Sequence, residues 1–308
     1  MITTVSLNPS VDRTLSIDGF HYGGMNRVMS SRDDACGKAV NLAIVLSRLG
    51  ASSSCIGFLA QQGATAFEQR LNENGVSHRF ISTPGRVRVN IKLFDEQQHV
   101  ITEINERGER VTQDDLAQLM QLAQQYARQS EYLVLTGSLP PGCPEDYYET
   151  LIRSVGDTCR CVLDADGAPF AKGLMAKPYF IKPNRAELES HLGRRLDTMD
   201  EIGRAADALV RQGIALVCVT MGDQGALMAS DDGLLFAPPL PLKVRSTVGA
   251  GDSLIGGVLH GLRSGEALAD AFRMGVAAAS ASVVSEGTDL VDADIYRQML
   301  DKTIVKRL

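Results

Sequence analysis

The segment Ser246-Thr247-Val248-Gly249-Ala250-Gly251-Asp252-Ser253 leads directly into an apolar stretch of helical period, residues 254–263. Small residues at the start of a helix let an anion approach the backbone N–H groups of the first turn, where the helix dipole also favours negative charge. An acid in that turn commonly serves as a helix cap. Beside an anion-binding turn, a carboxylate is also placed to accept a proton from an attacking hydroxyl. The segment differs from the Walker pattern, which would end in Gly-Lys-Ser/Thr.

Three further polar clusters stand at the end of a predicted strand or at the start of a predicted helix. Asn8-Pro9-Ser10-Val11-Asp12 follows the first strand, at the edge of the sheet where α/β proteins bind ligands. Gly37-Lys38-Ala39-Val40-Asn41 opens the first helix and puts Lys38 and Asn41 on one helical face. Lys182-Pro183-Asn184-Arg185-Ala186-Glu187 ends one strand and begins the next helix. The clusters therefore predict a ligand site built from distant parts of the chain.

Short β-branched runs alternate with longer segments of helical period along the whole chain. Predicted strands cover residues 2–7, 54–59, 132–136, 161–164, 179–182, 217–221 and 226–229. Predicted helices cover residues 39–49, 64–74, 113–128, 145–154, 185–192, 201–212, 251–263 and 268–285. This alternation predicts right-handed βαβ units, a mostly parallel central sheet and helices on both faces. No linker or repeat interrupts it, so we expect one α/β domain over residues 1–308.

Residues 10–34 and 86–106 break the alternation, because both consist of extended chain without helices. In the second region, Arg86-Val87-Arg88-Val89-Asn90-Ile91-Lys92-Leu93 alternates strictly, so its polar and apolar side chains lie on opposite faces of a strand. A polar turn at 95–98 then leads into a second extended run, 100–105. We expect a small β-strand lid with one basic and one apolar face. The alternative is an ordinary edge hairpin with solvated charges.

Charge and composition exclude several classes of function. The 308 residues include 31 Lys+Arg and 37 Asp+Glu, a formal net charge of −6, which lacks the basic footprint of a nucleic-acid-binding protein. Of the six cysteines only Cys159 and Cys161 are closely spaced, and the five histidines form no spaced pair, so no zinc site is predicted. No basic leader opens the chain, and no apolar run approaches the ~18 residues that span a bilayer. We expect a cytoplasmic protein with reduced cysteines and neither nucleic-acid nor membrane partners.

Taken together, these motifs resemble those of the ribokinase-like (PfkB) family of carbohydrate kinases, and the resemblance covers essentially the whole chain. The segment 246–253 matches the C-terminal signature of the family. Thr136-Gly137-Ser138-Leu139-Pro140-Pro141-Gly142 and Val219-Thr220-Met221-Gly222-Asp223-Gln224-Gly225-Ala226 match two further blocks in order and spacing. The opening Leu-Asn-Pro-x-x-Asp and the strand 86–92 look like the phosphosugar branch of the family. The resemblance implies a ribokinase-like α/β fold with a small β-strand lid.

The resemblance also implies a role for each matching residue. Asp252 looks like the catalytic base, and the N–H groups of Gly249, Ala250 and Gly251 look like the anion hole for the transferring phosphoryl group. The substrate-binding positions fall on Asp12, Gly37, Lys38, Asn41, Asn90 and Ser138, and Arg88 falls where the branch holds the phosphate already on the sugar. The nucleotide contacts fall on Asn184, Thr220, Gly222 and Gly225, and Glu187 is similar to the acid that organises Mg²⁺, usually through water. Ala39 and Asp166 depart from the family pattern, which usually has Gly and often Ser there.

The implied activity is ATP-dependent phosphorylation of a phosphosugar hydroxyl, with fructose 1-phosphate converted to fructose 1,6-bisphosphate. Tagatose 6-phosphate and fructose 6-phosphate stay open as substrates. A kinase for an unphosphorylated sugar or nucleoside would leave the basic lid face without a phosphate, and the retained anion hole and Asp252 speak against a catalytically silent sugar-binding regulatory module. The resemblance implies Mg²⁺ with ATP and leaves room for a monovalent cation. An apolar lid face needs a cover, and members of the branch often pair through their lids, so we expect a homodimer.

Overall fold

The central strands bury both sets of their alternating side chains, as strands of a parallel sheet between two helical layers must. In the computed structural model, which describes residues 1–285 and 290–308, Leu133 and Leu135 belong to one apolar core. Their neighbours Tyr132 and Val134 belong to the core on the opposite face. All four side chains are fully buried, so this strand lies inside the domain with both faces covered.

The described strands and helices follow the predicted alternation, with strands at 77–86, 233–237 and 306–307 and helices at 167–174 and 293–302 that were not predicted from the sequence. The strands are β1 (Ile2–Ser6), β2 (Ser10–Ile17), β3 (Val28–Cys36), β4 (Ser53–Gln62), β5 (Ser77–Arg86), β6 (Arg88–Asp95), β7 (Val100–Asn105), β8 (Tyr132–Thr136), β9 (Arg160–Asp164), β10 (Phe180–Ile181), β11 (Leu216–Thr220), β12 (Ala226–Ser230), β13 (Gly233–Ala237) and β14 (Lys306–Arg307). The helices are α1 (Lys38–Arg48), α2 (Ala64–Glu73), α3 (Gln113–Ala127), α4 (Tyr147–Val155), α5 (Gly167–Leu174), α6 (Arg185–Leu192), α7 (Met199–Arg211), α8 (Ala250–Arg263), α9 (Leu268–Val283) and α10 (Ala293–Lys302).

The large sheet has the strand order β14-β13-β12-β11-β10-β9-β8-β1-β4-β5. From β5 to β11 neighbouring strands are parallel, whereas β12, β13 and β14 continue the sheet antiparallel. Helices α3 to α7 pack on one face, and α1, α8 and α9 pack on the other. The predicted architecture, a mostly parallel sheet between helices, is confirmed. Within the described ranges, no helix is both long enough and apolar enough to cross a membrane.

A second sheet, of order β3-β2-β6-β7, is formed by the two regions that break the alternation. Strands β2 and β6 are parallel, and β3 and β7 flank them antiparallel. Ser10 pairs with Arg88 and Asp12 pairs with Asn90, so these four side chains share one polar face. This sheet is the predicted lid, and we use that name for β2, β3, β6 and β7.

The predicted lid strand is wrong at its first two residues. Arg86 ends β5 in the large sheet, and Val87, only 6% exposed, packs in the core beside β4 and α2. The Val87 N–H donates to the Gln62 carbonyl oxygen at 2.9 Å. The chain therefore passes from one sheet to the other at residues 86–88. Side chains alternate with a period of two residues in both sheets, so the sequence pattern does not change where the chain leaves one sheet and enters the other. The pattern alone therefore could not locate the end of β5.

Candidate active site

Polar residues end five neighbouring parallel strands at one edge of the large sheet. In spatial order they are Thr220 at the end of β11, Lys182 just after β10, Asp164 ending β9, Thr136 ending β8 and Asn8 just after β1. Strands lie about 4.8 Å apart, so this row spans about 19 Å. The carboxyl edge of a parallel sheet is where α/β proteins bind ligands, and this row is long enough for two ligands side by side.

A buried carboxylate stands between two lysines at the centre of the row. Asp164, 1% exposed, lies 2.9 Å from Lys38 Nζ and 3.2 Å from Lys182 Nζ, and it accepts a hydrogen bond from Thr136 Oγ1 at 3.0 Å. Burial favours the neutral carboxyl, yet the two lysines hold the pKa of Asp164 well below its usual range. Burial likewise opposes the charge on Lys38, but its carboxylate neighbours, Asp164 first, raise the pKa of Lys38 above its ordinary value. The cluster therefore carries one net positive charge.

The Lys182 ammonium lies against the first turn of α8. A Cβ at Gly251 would stand 3.1 Å from Lys182 Cε and 3.2 Å from its Nζ, so glycine permits this close approach. Gly249, with φ of 77°, adopts the left-handed conformation that starts the helix. The first N–H groups of a helix have no intrahelical acceptor. Within the predicted anion hole, the Ala250 N–H donates to the Thr247 carbonyl oxygen at 3.4 Å, whereas the N–H groups of Gly249 and Gly251 have no acceptor among the described residues. These two open N–H groups stand beside a neighbouring cation, Lys182.

Asp252 is the third residue of α8, a position where acids usually cap the helix. Three other helices in the described ranges show that arrangement: Asp115 in α3, Glu187 in α6 and Glu201 in α7 each accept the N-cap N–H. Asp252 does not, since its one described hydrogen bond comes from Asn41 Nδ2, at 3.4 Å. The carboxylate is 5% exposed and faces the site. Its lone pairs are therefore available to a substrate.

The surroundings of Asp252 suit a base that works near neutral pH. Burial raises the pKa of Asp252 to about 7, although Lys38 and Lys182 oppose the increase. A general base is most effective when its pKa lies close to the working pH. The buried Asn41 Oδ1 accepts no hydrogen bond from the described residues. An amide oxygen without a donor beside the base is a ready acceptor for a ligand hydroxyl.

Asp12 lies at the other end of the row, on the polar face of the lid. Its Oδ2 forms an ion pair with Lys92 Nζ at 2.7 Å, and both side chains are about one-tenth exposed. Its Oδ1 accepts hydrogen bonds from Ser10 Oγ at 2.9 Å and from Asn90 Nδ2 at 3.2 Å. These donors hold the carboxylate in one orientation. Asp12 thereby neutralises Lys92, one of the cations of the predicted basic face.

Arg88 forms no ion pair with the described residues, because its hydrogen-bond partners are neutral. Its Nε and Nη2 donate to the Asn8 carbonyl oxygen at 3.1 and 2.9 Å, and its Nη1 donates to the Glu106 carbonyl oxygen at 3.0 Å. The guanidinium is half-buried, and burial lowers the pKa of Arg88. Asn8 Nδ2 also lies 3.3 Å from Ser138 Oγ. The structure therefore brings Arg88 and the predicted Ser138 together around Asn8.

The predicted nucleotide contacts lie at the β11 end of the row. An isolated parallel bridge joins Asn184 to Thr220, and the turn after β11 contains Gly222 and Gly225, with φ of 60° and 92°. Asn184 Oδ1 accepts the Glu187 N–H and Glu187 Oε2 accepts the Asn184 N–H, both at 2.8 Å. This capping box explains the spacing of the pair without a ligand.

Glu187 nevertheless fits a magnesium ion that is held mainly by nucleotide phosphates. Its Oε1 accepts no hydrogen bond from the described residues, and its charge acts on Lys38 across the site. Mg²⁺ in kinase sites is bound through one or two carboxylates, with phosphates and water completing the shell. Over the described ranges no group of three or more His, Cys, Asp or Glu side chains could hold a metal ion. The residues present suit such a shared site.

Comparison with known proteins shows which family this chain belongs to. Residues 5–294 match the pfkB family of carbohydrate kinases. The chain belongs to this family. Among pfkB relatives, 1-phosphofructokinase from Escherichia coli (strain K12) is 34% identical over 292 residues, covering 94% of this chain and 93% of that protein. The 1-phosphofructokinase of Bacillus subtilis (strain 168) is 32% identical over 309 residues and covers 100% of both chains.

Solved pfkB structures share the fold throughout. Phosphofructokinase-2 from Escherichia coli, in complex with potassium, gives a TM-score of 0.91 at 28% identity and covers 98% of each chain. The same protein has been solved in a tetrameric inhibited form. The long coverage means that the sheet and the lid both belong to the shared architecture.

Sequence reasoning missed three charged residues of this pfkB site. Asp164, Lys182 and Lys92 received no role, although all three stand in or beside quoted motifs. Asp164 and Lys182 ended apolar strand runs, and a charge at the end of a buried run was a signal that could have been used. Lys92 was counted among the cations of the lid, and its pairing with Asp12 required the register of β2 on β6.

Proposed function

We propose that this protein is an ATP-dependent kinase that converts fructose 1-phosphate to fructose 1,6-bisphosphate. Arg88 carries the proposal, because a half-buried guanidinium bonded only to neutral acceptors keeps a charge that no ion pair among the described residues neutralises, at the sugar end of the site. An unphosphorylated sugar would leave that charge without an anion, whereas a phosphosugar supplies one. Relatives named 1-phosphofructokinase that match nearly the whole chain support fructose 1-phosphate among the phosphosugars.

In the proposed reaction, a sugar hydroxyl attacks the γ-phosphorus of ATP in line with the leaving ADP. Asp252 accepts the hydroxyl proton as the new O–P bond forms and the bond to the β-phosphate oxygen breaks. The open N–H groups of Gly249 and Gly251 and the Lys182 ammonium stabilise the charge on the transferring phosphoryl group. Asn41 would accept a hydrogen bond from the sugar and orient the hydroxyl toward Asp252. Positioning and electrostatics account for catalysis here, since no covalent enzyme intermediate is needed.

The other roles follow the row of residues from β11 to β1. Asn184 and Thr220 would contact the nucleotide, and Glu187 would hold Mg²⁺, through water, as a counter-charge to the phosphates. Asp12 and Ser138 would bind the sugar at the opposite end. The potassium in the related phosphofructokinase-2 structure supports the monovalent cation for which the resemblance leaves room.

A panel of candidate substrates tests the proposal. We expect ADP release from Mg·ATP with fructose 1-phosphate, at a kcat/KM at least tenfold above those for fructose 6-phosphate, tagatose 6-phosphate and fructose. A higher value for another phosphosugar would change the substrate within the class. Preference for fructose or a nucleoside would contradict a phosphosugar kinase, and no ATP turnover with any member would indicate a silent binding module.

We also propose that two copies pair through their lids. Exposed apolar side chains are concentrated there, including Val100, Ile101 and Ile104 at 48%, 55% and 56% exposure. Ile104 pairs with Ile91 across the strands β7 and β6, so an apolar strip continues over both. A two-fold contact between two such strips covers both at once.

A further inference from the structure

The cations around the sugar end of the site are mostly neutralised. Three of them form ion pairs at 2.7–2.9 Å, namely Lys92 with Asp12, Arg32 with Asp34 and Arg86 with Glu106. Arg88 contributes one charge without an ion pair, although the Asp12 and Glu106 carboxylates act on it from a distance. A phosphate monoester carries close to two negative charges at pH 7. The described pairings therefore leave the substrate's phosphate one cation short.

Arg107 is close to this place in the fold. Its carbonyl oxygen accepts a hydrogen bond from Asn8 Nδ2 at 3.1 Å, and the same amide nitrogen lies 3.3 Å from Ser138 Oγ. The preceding residue, Glu106, accepts a hydrogen bond from Arg88 through its own carbonyl oxygen, at 3.0 Å. The backbone at 106–107 is thus fixed between Arg88, proposed to bind the phosphate, and Ser138, proposed to bind the sugar.

The next residue fixes the path of this loop. Gly108 has a φ of 87°, and a Cβ there would lie 2.3 Å from Asn8 Oδ1 and 3.4 Å from Arg88 Cδ. The loop 106–108 is therefore packed against Asn8 and Arg88, and moving it away would break these contacts. The Arg107 side chain itself is exposed and forms no ion pair with the described residues. It is a guanidinium without an ion pair, on a loop whose backbone borders a subsite with fewer free positive charges than its phosphate has negative ones.

We propose that Arg107 is a second phosphate-binding residue, which holds the fixed phosphate of the substrate together with Arg88; this inference rests on the proposed phosphosugar kinase activity. A guanidinium offers paired N–H donors that match two phosphate oxygens. Arg88 uses most of its N–H donors on backbone carbonyl groups, so it supplies the phosphate mainly with a positive charge in a fixed position. Arg107, free in the absence of substrate, supplies the remaining hydrogen bonds. The pair would make the enzyme select phosphosugars over unphosphorylated sugars.

The test compares Arg107→Ala with Arg110→Ala in the full-length protein. Arg110 is a matched control, because it is exposed on the same loop but packs against Gly142, where a Cβ would lie 3.1 Å from Arg110 Cγ. We expect Arg107→Ala to raise KM for fructose 1-phosphate about tenfold, the effect of one partly exposed charge-assisted contact. Its kcat, its KM for ATP and its thermal unfolding should match those of Arg110→Ala.

Two further measurements separate phosphate binding from a structural role. Inorganic phosphate should compete with the sugar substrate, and Arg107→Ala should weaken that inhibition by the same factor as KM. Arg107→Lys should recover part of the loss, because it restores charge without the paired donors. Equal kinetics in Arg107→Ala and Arg110→Ala would overturn the inference while leaving the proposed function intact. A wild-type protein that turns over no phosphosugar would overturn both.

Discussion

Replacing Asp252 by Asn would remove the proposed proton acceptor while keeping the size and shape of the side chain. Asp252 accepts one described hydrogen bond, from Asn41, and plays no part in capping α8. The fold should therefore tolerate the change, and the loss should appear in the chemical step. We expect kcat to fall by ~10²–10⁴, the span of a general base, with KM for the sugar within a few-fold of wild type.

In the proposed mechanism, the pKa of Asp252 sets the pH dependence of the wild-type enzyme. With a pKa of about 7, half of the carboxylate is ionised at pH 7. The ionised fraction rises about tenfold between pH 6 and pH 8, and kcat/KM should rise with it, since the base must be deprotonated in the free enzyme. The residual kcat/KM of Asp252→Asn should not show this rise between pH 6 and pH 8, the acid limb of the pH profile.

The same group affects folding stability with a definite sign. Its pKa is about 7 in the folded protein and near 3.8 in the unfolded chain, because burial disfavours the charge. Between those two values the folded state binds the extra proton, so this contribution to stability is lost as pH rises from about 4 to 7. A pKa difference of about 3 corresponds to at most about 4 kcal/mol. Asp252→Asn should therefore be more stable than wild type at pH 8 and similar to it at pH 4.

The assay is ATP turnover between pH 5.5 and 8.5, with denaturant unfolding at pH 4, 6 and 8. Asp146→Asn is the control, because Asp146 is also at the N-terminus of a helix, is exposed, and forms no capping hydrogen bond. It should leave both profiles unchanged. An Asp252→Asn variant that keeps more than about half of the wild-type kcat would refute the assignment of the base.

Three other substitutions probe the remaining parts of the site. Arg88→Ala should raise KM for the phosphosugar by a factor that corresponds to about 2–4 kcal/mol of lost binding free energy, and it should leave KM for ATP unchanged. In steady-state kinetics with each substrate varied, a raised KM for ATP and an unchanged KM for the sugar would mean that the lid binds the nucleotide. Lys182→Met should shift the acid limb of kcat/KM to higher pH, because Lys182 lowers the pKa of Asp252, and an unshifted limb would contradict that coupling. Val89→Asp combined with Ile91→Asp should give monomers with poor activity in sedimentation and turnover assays, and a wild-type monomer at micromolar concentration would defeat the lid dimer.

The sequence determined the features that depend on neighbouring residues. The alternation of strands and helices predicted the parallel sheet, the predicted helix over 185–192 coincides with α6, and the small residues before Asp252 predicted an open helix start. The period-two pattern after residue 86 predicted a lid with two unlike faces. Such signals are carried within one or two turns of chain, so they can be read without knowing what packs against them.

Tertiary structure alone decided how the charges of the site are partnered. Lys38 and Asp164 are 126 residues apart in sequence, and Asn41 and Asp252 are 211 apart. Their contacts exist because β9 lies beside β8 and β10, and because α1 packs on α8. Whether a carboxylate caps its helix, pairs with a lysine or stays available as a base depends on which donors the fold brings within about 3 Å. Residue type and spacing specify the candidates, and burial with its partners specifies which of them is left to react.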